Sequence, residues 1–274
     1  MAITERTVDV DGIDVFLRES AGEGTPTVFV HGNPTSSTDW IPFMERMSGP
    51  AVALDLPGWG RSGRPDRAGF DHSLGAYADF TERFLDQVVG GSYKLVVHDW
   101  GGLALVPAQR HPDRVERLVV MNTVPYNAGY RWHWLARLWR RRGVGEALNA
   151  TRSKLATEQL MRLARYDHRP LPDDFIDGVW SNWDKGTSRA ILGLYRSADP
   201  DVLAAAGSRL DDLTCPTAIL WSTDDPYIGI EQARWYEAAL PGARLELIED
   251  AGHWLWLDRP EVIDKVVEHL EPVG

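Results

Sequence analysis

The amino-acid sequence predicts an α/β protein, a mostly parallel central sheet flanked by helices and carrying an inserted block of helices. Three observations lead to that prediction. Short runs that are apolar, or apolar after one leading polar residue, recur at residues 27–30, 51–54, 94–97, 117–121 and 217–221, as strands buried on both faces require. The early runs are followed by glycine- and proline-bearing loops and then by helical segments, so successive strands are joined by crossovers and lie parallel. Between residues 125 and 210 the alternation stops, and the stretch is helical and aromatic-rich with few strand candidates.

The elements follow in order. Two short strands near 6–10 and 13–18 open the chain, and residues 26–30 form a buried strand running into the tight loop His31-Gly32-Asn33-Pro34. A helix near 37–47, a strand at 51–54, the loop Pro57-Gly58-Trp59-Gly60-Arg61-Ser62-Gly63 and a helix near 72–89 come next. Then come a strand at 94–97, a helix starting near Gly101-Gly102 and a strand at 117–121. Strands at 217–221 and 244–248 and a closing helix at 260–270 complete the chain. The expected organisation is a core of residues 1–124 and 211–274 with a helical cap of residues 125–210. No repeat, low-complexity tract or flexible linker separates the two.

Composition narrows the function. At 274 residues, 43% hydrophobic and 25% charged, the chain fits one large domain carrying an insertion. Its start lacks a basic, apolar leader, and no run approaches the roughly 20 apolar residues of a membrane helix. The expectation is a cytoplasmic protein with no membrane span. The net charge is −11, from 29 basic against 40 acidic side chains, which repels a phosphate backbone and disfavours nucleic acid as a partner. Arg131, Arg137, Arg140, Arg141 and Arg142 form a local exception. There Trp132, Leu135, Ala136 and Trp139 recur at helical spacing, as in a helix that covers a core or pocket and leaves its arginines in water. Cys215 is the only cysteine. It excludes an intramolecular disulfide and reads as a small core residue near a strand. With no cysteine cluster and no H-E-x-x-H pattern, neither a metal nor a cofactor is expected.

The segment Val96-Val97-His98-Asp99-Trp100-Gly101-Gly102 places an acidic side chain between a buried strand and a glycine-led helix. Helix-terminal N–H groups at such a turn favour the ionised carboxylate. An aspartate that only caps the helix is the ordinary alternative. The surrounding motifs are His31-Gly32-Asn33-Pro34, Asp55-Leu56-Pro57-Gly58-Trp59-Gly60-Arg61-Ser62, Asp225-Pro226 after a later strand, and Ala251-Gly252-His253 near the end. With them, essentially the whole chain resembles the α/β-hydrolase superfamily, in its branch where aspartate replaces serine at the nucleophile elbow. Val97 stands where many members have glycine. Ser62 is no rival, because Arg64 breaks the G-x-S-x-G pattern.

The resemblance implies that Asp99 is the nucleophile, His253 the base and Asp225 the acid that orients it, with Asp224 as the rival acid. It also implies an oxyanion hole made by the backbone N–H groups of Asn33 and Trp100. A carboxylate attacks a saturated carbon without first losing a proton, and the resulting ester on Asp99 is hydrolysed by water that His253 activates. Two leaving groups fit. An epoxide needs an acid for the departing oxygen, and Tyr195 resembles the late-cap tyrosine of epoxide hydrolases. No second cap tyrosine aligns clearly, with Tyr130 and Tyr166 the candidates. Halide departure needs only N–H donors, and Asn33 and Trp100 resemble the halide-holding pair of haloalkane dehalogenases. A haloacid dehalogenase would have arginine at position 100. The expected function is an epoxide hydrolase, the alternative is a haloalkane dehalogenase, and a non-catalytic ligand-binding module is the remote third reading. The aromatic residues Trp132, Trp134, Trp139, Trp180, Trp183 and Tyr195 suit a small apolar substrate. A homo-oligomer is compatible with all three readings.

Overall fold

A computed structural model describes residues 2–271. Eight strands form one sheet in the order β1-β2-β4-β3-β5-β6-β7-β8. They are β1 (Ile3–Val10), β2 (Ile13–Ser20), β3 (Thr27–Val30), β4 (Ala51–Leu54), β5 (Tyr93–Asp99), β6 (Val115–Thr123), β7 (Thr217–Ser222) and β8 (Arg244–Ile248). β2 runs antiparallel to β1 and β4, and every later pairing is parallel. The middle strands are sealed on both faces, with Val28, Phe29, Val30, Leu95, Val96, Val97 and Leu118 to Met121 without exposed surface. This is why their sequences are unbroken apolar runs rather than alternations.

The register brings the carboxyl ends of the parallel strands to one edge. Val30 lies beside Val97, Asp99 beside Thr123, Met121 beside Leu220 and Ser222 beside Ile248. The loops leaving β3, β5, β6, β7 and β8 therefore open together at that edge, where open parallel sheets form clefts for ligands.

The helices are α1 (Ile41–Met44), α2 (Leu74–Phe84) and α3 (Leu105–Arg110). Six more, α4 (Trp134–Arg140), α5 (Val144–Ala150), α6 (Lys154–Arg162), α7 (Asp173–Asn182), α8 (Lys185–Ser197) and α9 (Pro200–Ala206), lie between β6 and β7. Last come α10 (Ile230–Ala239), α11 (Leu255–Asp258) and α12 (Glu261–Leu270). Three expected helices differ in detail. The 37–47 segment is a 3-10 turn, Ser37–Trp40, followed by α1. Pro42 sits in the first turn of α1, where its missing N–H has no intrahelical partner to lose. The 72–89 segment is α2, capped by Ser73, and it widens into a π turn at Leu85–Val89. The segment after Asp99 starts as a 3-10 turn, Trp100–Ala104, before α3. β1 begins three residues earlier than its pattern suggests, because it is an exposed outer strand whose early side chains are polar.

Candidate active site

Asp99 ends β5 with φ 48° and ψ −123°, a conformation that costs a non-glycine residue energy and persists only where its surroundings fix it. Here they do. The Asp99 carbonyl accepts from Thr123 Oγ1 at 2.6 Å and from the Val124 N–H at 3.1 Å. The loop after β3 approaches so closely that a Cβ on Gly32 would lie 2.3 Å from the Asp99 side chain. A side chain at position 32 would therefore occupy the carboxylate's own place.

The turn aims the carboxylate at two kinds of partner. Oδ1 accepts from the Asn33 backbone N–H at 2.6 Å, while Oδ2 lies 3.6 Å from His253 Nε2. His253 Nδ1 is 2.8 Å from Asp225 Oδ2. Asp225 also accepts from Asn122 Nδ2 at 2.7 Å and from the backbone N–H groups of Tyr227 and Ile228 at 2.8 and 3.1 Å. Asp224, the rival acid, is exposed and accepts from Thr223 Oγ1 instead. Asn122 was not singled out from the sequence. It holds Asp225 while its Oδ1 accepts from the Ser222 N–H at 3.0 Å, tying the ends of β6 and β7 together. A polar residue closing an apolar strand was the available signal.

Electrostatics sorts the three groups. Burial opposes charge on Asp225, but His253 and the Tyr227 and Ile228 N–H groups outweigh it and hold the carboxyl below its ordinary value. Burial also opposes charge on His253, and Asp225 followed by Asp99 reverses that, so the imidazole is raised. Asp99 is raised by burial, which His253 and the N–H groups of Asn33 and Trp100 offset only in part. An ionised Asp225 accepts hydrogen bonds only, so the Nδ1 of His253 carries the proton and Nε2 faces Asp99.

Above Asp99 lies a small cavity of about 40 Å³, bounded by Asn33, Pro34, His133, Leu135, Trp139, Met161, Trp183, Tyr195, Tyr227 and Trp254 among others. Tyr195, from α8, is wedged edge-on against Trp100 and Trp139, each at 5.0 Å. Burial drives its phenol pKa well above the ordinary value, and the neighbouring Asp99 carboxylate adds to the rise. Asn33 Oδ1 accepts from Trp59 Nε1 at 3.4 Å, which leaves its Nδ2 for the pocket. Neither candidate second tyrosine joins this group. The Tyr130 hydroxyl donates to the Tyr227 carbonyl at 3.4 Å, and Tyr166 lies outside, beside Asp250. His133 lines the pocket instead. Its Nδ1 accepts from the Ala136 N–H at 3.4 Å, so Nε2 carries the hydrogen of the neutral ring. Its ring lies 6.4 Å from that of Tyr195, and burial lowers its pKa to about 4. The sequence showed His133 only as one residue in an arginine- and tryptophan-rich stretch.

The remaining expected residues fall as follows. Leu135, Ala136 and Trp139 are buried, Arg137, Arg141 and Arg142 are exposed, and Arg140 pairs with Asp199. Trp132 stacks on Trp100 at 5.6 Å, Trp134 is exposed, and Arg152 covers Trp180 and Trp183. Cys215 is partly buried just before β7 and packs against the edge of the core. Its strand neighbours point inward, but the residue itself precedes the first buried position. Among the described residues there is no cluster of metal-ligating side chains, and no helix is long and apolar enough to cross a membrane.

A family model described as the alpha/beta hydrolase fold matches residues 25–260. The chain belongs to that family. A haloalkane dehalogenase of Mesorhizobium japonicum is 29% identical over 92% of this chain and 86% of its own length. Epoxide hydrolase 3 of Xenopus tropicalis is 27% identical over 88% of this chain and 69% of its own. The crystal structure of haloalkane dehalogenase DbeA from Bradyrhizobium elkani superposes with a TM-score of 0.82 at 25% identity, covering 97% of this chain and 96% of that one. This alpha/beta hydrolase is therefore a hydrolase of the branch that holds epoxide hydrolases and haloalkane dehalogenases.

Proposed function

We propose that the protein is an epoxide hydrolase that works through an ester on Asp99, with the helices between β6 and β7 as the cap over its site. The observation that carries this reading is Tyr195. Its ring packs edge-on against Trp100 at 5.0 Å, and it lines the cavity over Asp99 together with Asn33, so a phenol proton donor stands in the pocket wall beside the carboxylate. Asp99 Oδ2 attacks a ring carbon, the C–O bond breaks, and Tyr195 protonates the departing oxygen, with His133 Nε2–H as the second donor. Water then adds to the ester carbonyl carbon as His253 takes its proton. Asp225 stabilises the imidazolium, and the oxyanion forms on Oδ1, which already faces the Asn33 N–H. Collapse expels the diol oxygen with the proton from His253, and the acid proton left on Asp99 restores the phenol. One diol oxygen thus comes from Asp99.

Haloalkane dehalogenation is the second reading, favoured by the presence of Asn33 and Trp100 at the site and by the dehalogenase relatives. Styrene oxide and 1-bromobutane assayed side by side, with Asp99→Ala as blank, decide between them. Diol formation lost in Asp99→Ala supports the epoxide reading, and bromide release alone overturns it in favour of the dehalogenase. Turnover of neither substrate, with no mass added to His253→Ala, returns the protein to the ligand-binding reading.

A further inference from the structure

His253 is held from two sides. Asp225 holds its ring, and its backbone is held by the helical insertion: the His253 N–H donates to the Ala164 carbonyl at 2.7 Å. The approach is so close that a Cβ on Gly252 would lie 2.1 Å from that carbonyl oxygen. Beside this contact is an ion pair, Arg165 with Asp258, whose side chains are 7% and 0% exposed. Asp258 uses both oxygens fully. Oδ1 accepts from Arg165 Nε and Nη2 at 2.9 and 2.7 Å, and Oδ2 accepts from the Tyr166 and Gly252 N–H groups, each at 3.0 Å. Arg165 Nη2 also donates to the Leu257 carbonyl at 2.7 Å. Two segments about 90 residues apart in sequence are thus joined at one buried carboxylate, and neither member of the pair lines the pocket.

We propose that Arg165 and Asp258 are positioning residues that set the register of His253 against the turn after α6, so that hydrolysis of the Asp99 ester, and not its formation, depends on how the insertion is seated. This positioning role rests on Asp99 as nucleophile and His253 as base, as proposed above. Formation of the ester uses Asp99, which the β5 turn and the Asn33 N–H hold without help from this ion pair. Hydrolysis needs His253 Nε2 within reach of a water at the ester carbon, and Nε2 moves with a backbone that the insertion holds. Because α6 also supplies Met161 to the pocket wall, the same helix that meets substrate fixes the base.

The test follows both phases of a single turnover with styrene oxide, reading ester on Asp99 by rapid quench and intact mass in wild type, Asp258→Asn and Arg165→Lys. The expected result is ester decay slowed by about 10-fold or more, as displacement of a reacting group by a fraction of an ångström requires, with ester formation within about 3-fold of wild type. In the steady state kcat and KM then fall together and kcat/KM holds. A merely structural role lowers kcat at constant KM as folded enzyme is lost, and circular dichroism and Tm record that loss. Unchanged decay, or formation and decay slowed in proportion, overturns the proposal. If wild type forms no ester with styrene oxide or with 1-bromobutane in its place, the reading of Asp99 has failed, and the far-downfield proton resonance of the His253–Asp225 hydrogen bond tests the clamp by itself. It shifts or broadens in both variants if the ion pair sets the register, and stays in place if it does not.

Discussion

Replacing Tyr195 by phenylalanine removes one oxygen atom and little else, because the ring keeps its edge contacts with Trp100 and Trp139. General acid catalysis contributes about 10²- to 10⁴-fold, and the proposed mechanism gives the departing oxygen two donors, so the loss belongs at the lower end while His133 remains. The expected effect is about 10²-fold slower ester formation, or about 2.7 kcal/mol of transition-state stabilisation. Rapid-quench mass spectrometry with styrene oxide measures formation and decay of the ester separately. Decay is the internal control, since it requires His253 and not the phenol. Ester formation within about 3-fold of wild type would remove Tyr195 from the mechanism, and equal losses in both phases would show that the substitution had only disturbed the fold.

Asp225→Asn should lower ester hydrolysis by on the order of 10⁴-fold, because it takes the charge from the imidazolium and reverses the proton on the His253 Nδ1 bond. Asp224→Asn should leave turnover near wild type, and comparable losses in both variants would undo the assignment of the acid. Gly252→Ala should destabilise the protein by about 1–3 kcal/mol through the overlap with the Ala164 carbonyl, read by denaturant unfolding. A stability equal to wild type would mean that the insertion has slack there. Asp39, beside the Asn33 loop, is buried with neither carboxyl oxygen hydrogen-bonded, and burial raises its pKa to about 8. Between its ordinary value and about 8 the unfolded chain gives up a proton that the native state keeps, so this group lowers stability progressively as pH rises. Asp39→Asn should therefore gain in Tm relative to wild type from pH 5 to 8, and a difference independent of pH would contradict the raised value.

The sheet was legible because strands covered on both faces have no room for polar residues, so their boundaries appear as edges of apolar runs. β1 was only half legible for the converse reason: an outer strand in water carries no such run. Asp99, Asp225 and His253 could be picked out as candidates because each lies at or a few residues beyond a strand end, among residues whose backbone demands are unusual, such as Gly32 against the Asp99 carboxylate. His133 and Asn122 could not, because their roles arise from neighbours that are distant in sequence. His133 presents an Nε2–H to the pocket only because the Ala136 N–H occupies its other nitrogen, and Asn122 bridges the ends of β6 and β7. Asp258 lay hidden in an unremarkable stretch before Pro260, since a buried carboxylate is unexpected until its arginine is found 93 positions away.

The ion pair between Arg165 and Asp258 also bears on how such enzymes can be recombined. A laboratory that moved the helices between β6 and β7 onto this core from a relative with no arginine at position 165 would retain Asp258 but remove the guanidinium that pairs with it. A fully enclosed carboxylate left without its cation is strongly destabilising, and the graft would fail at the histidine loop rather than at either splice junction. The exchangeable unit is therefore bipartite, the insertion together with residues 250–258, and chimaeras that transfer both pieces should fold where those transferring one do not.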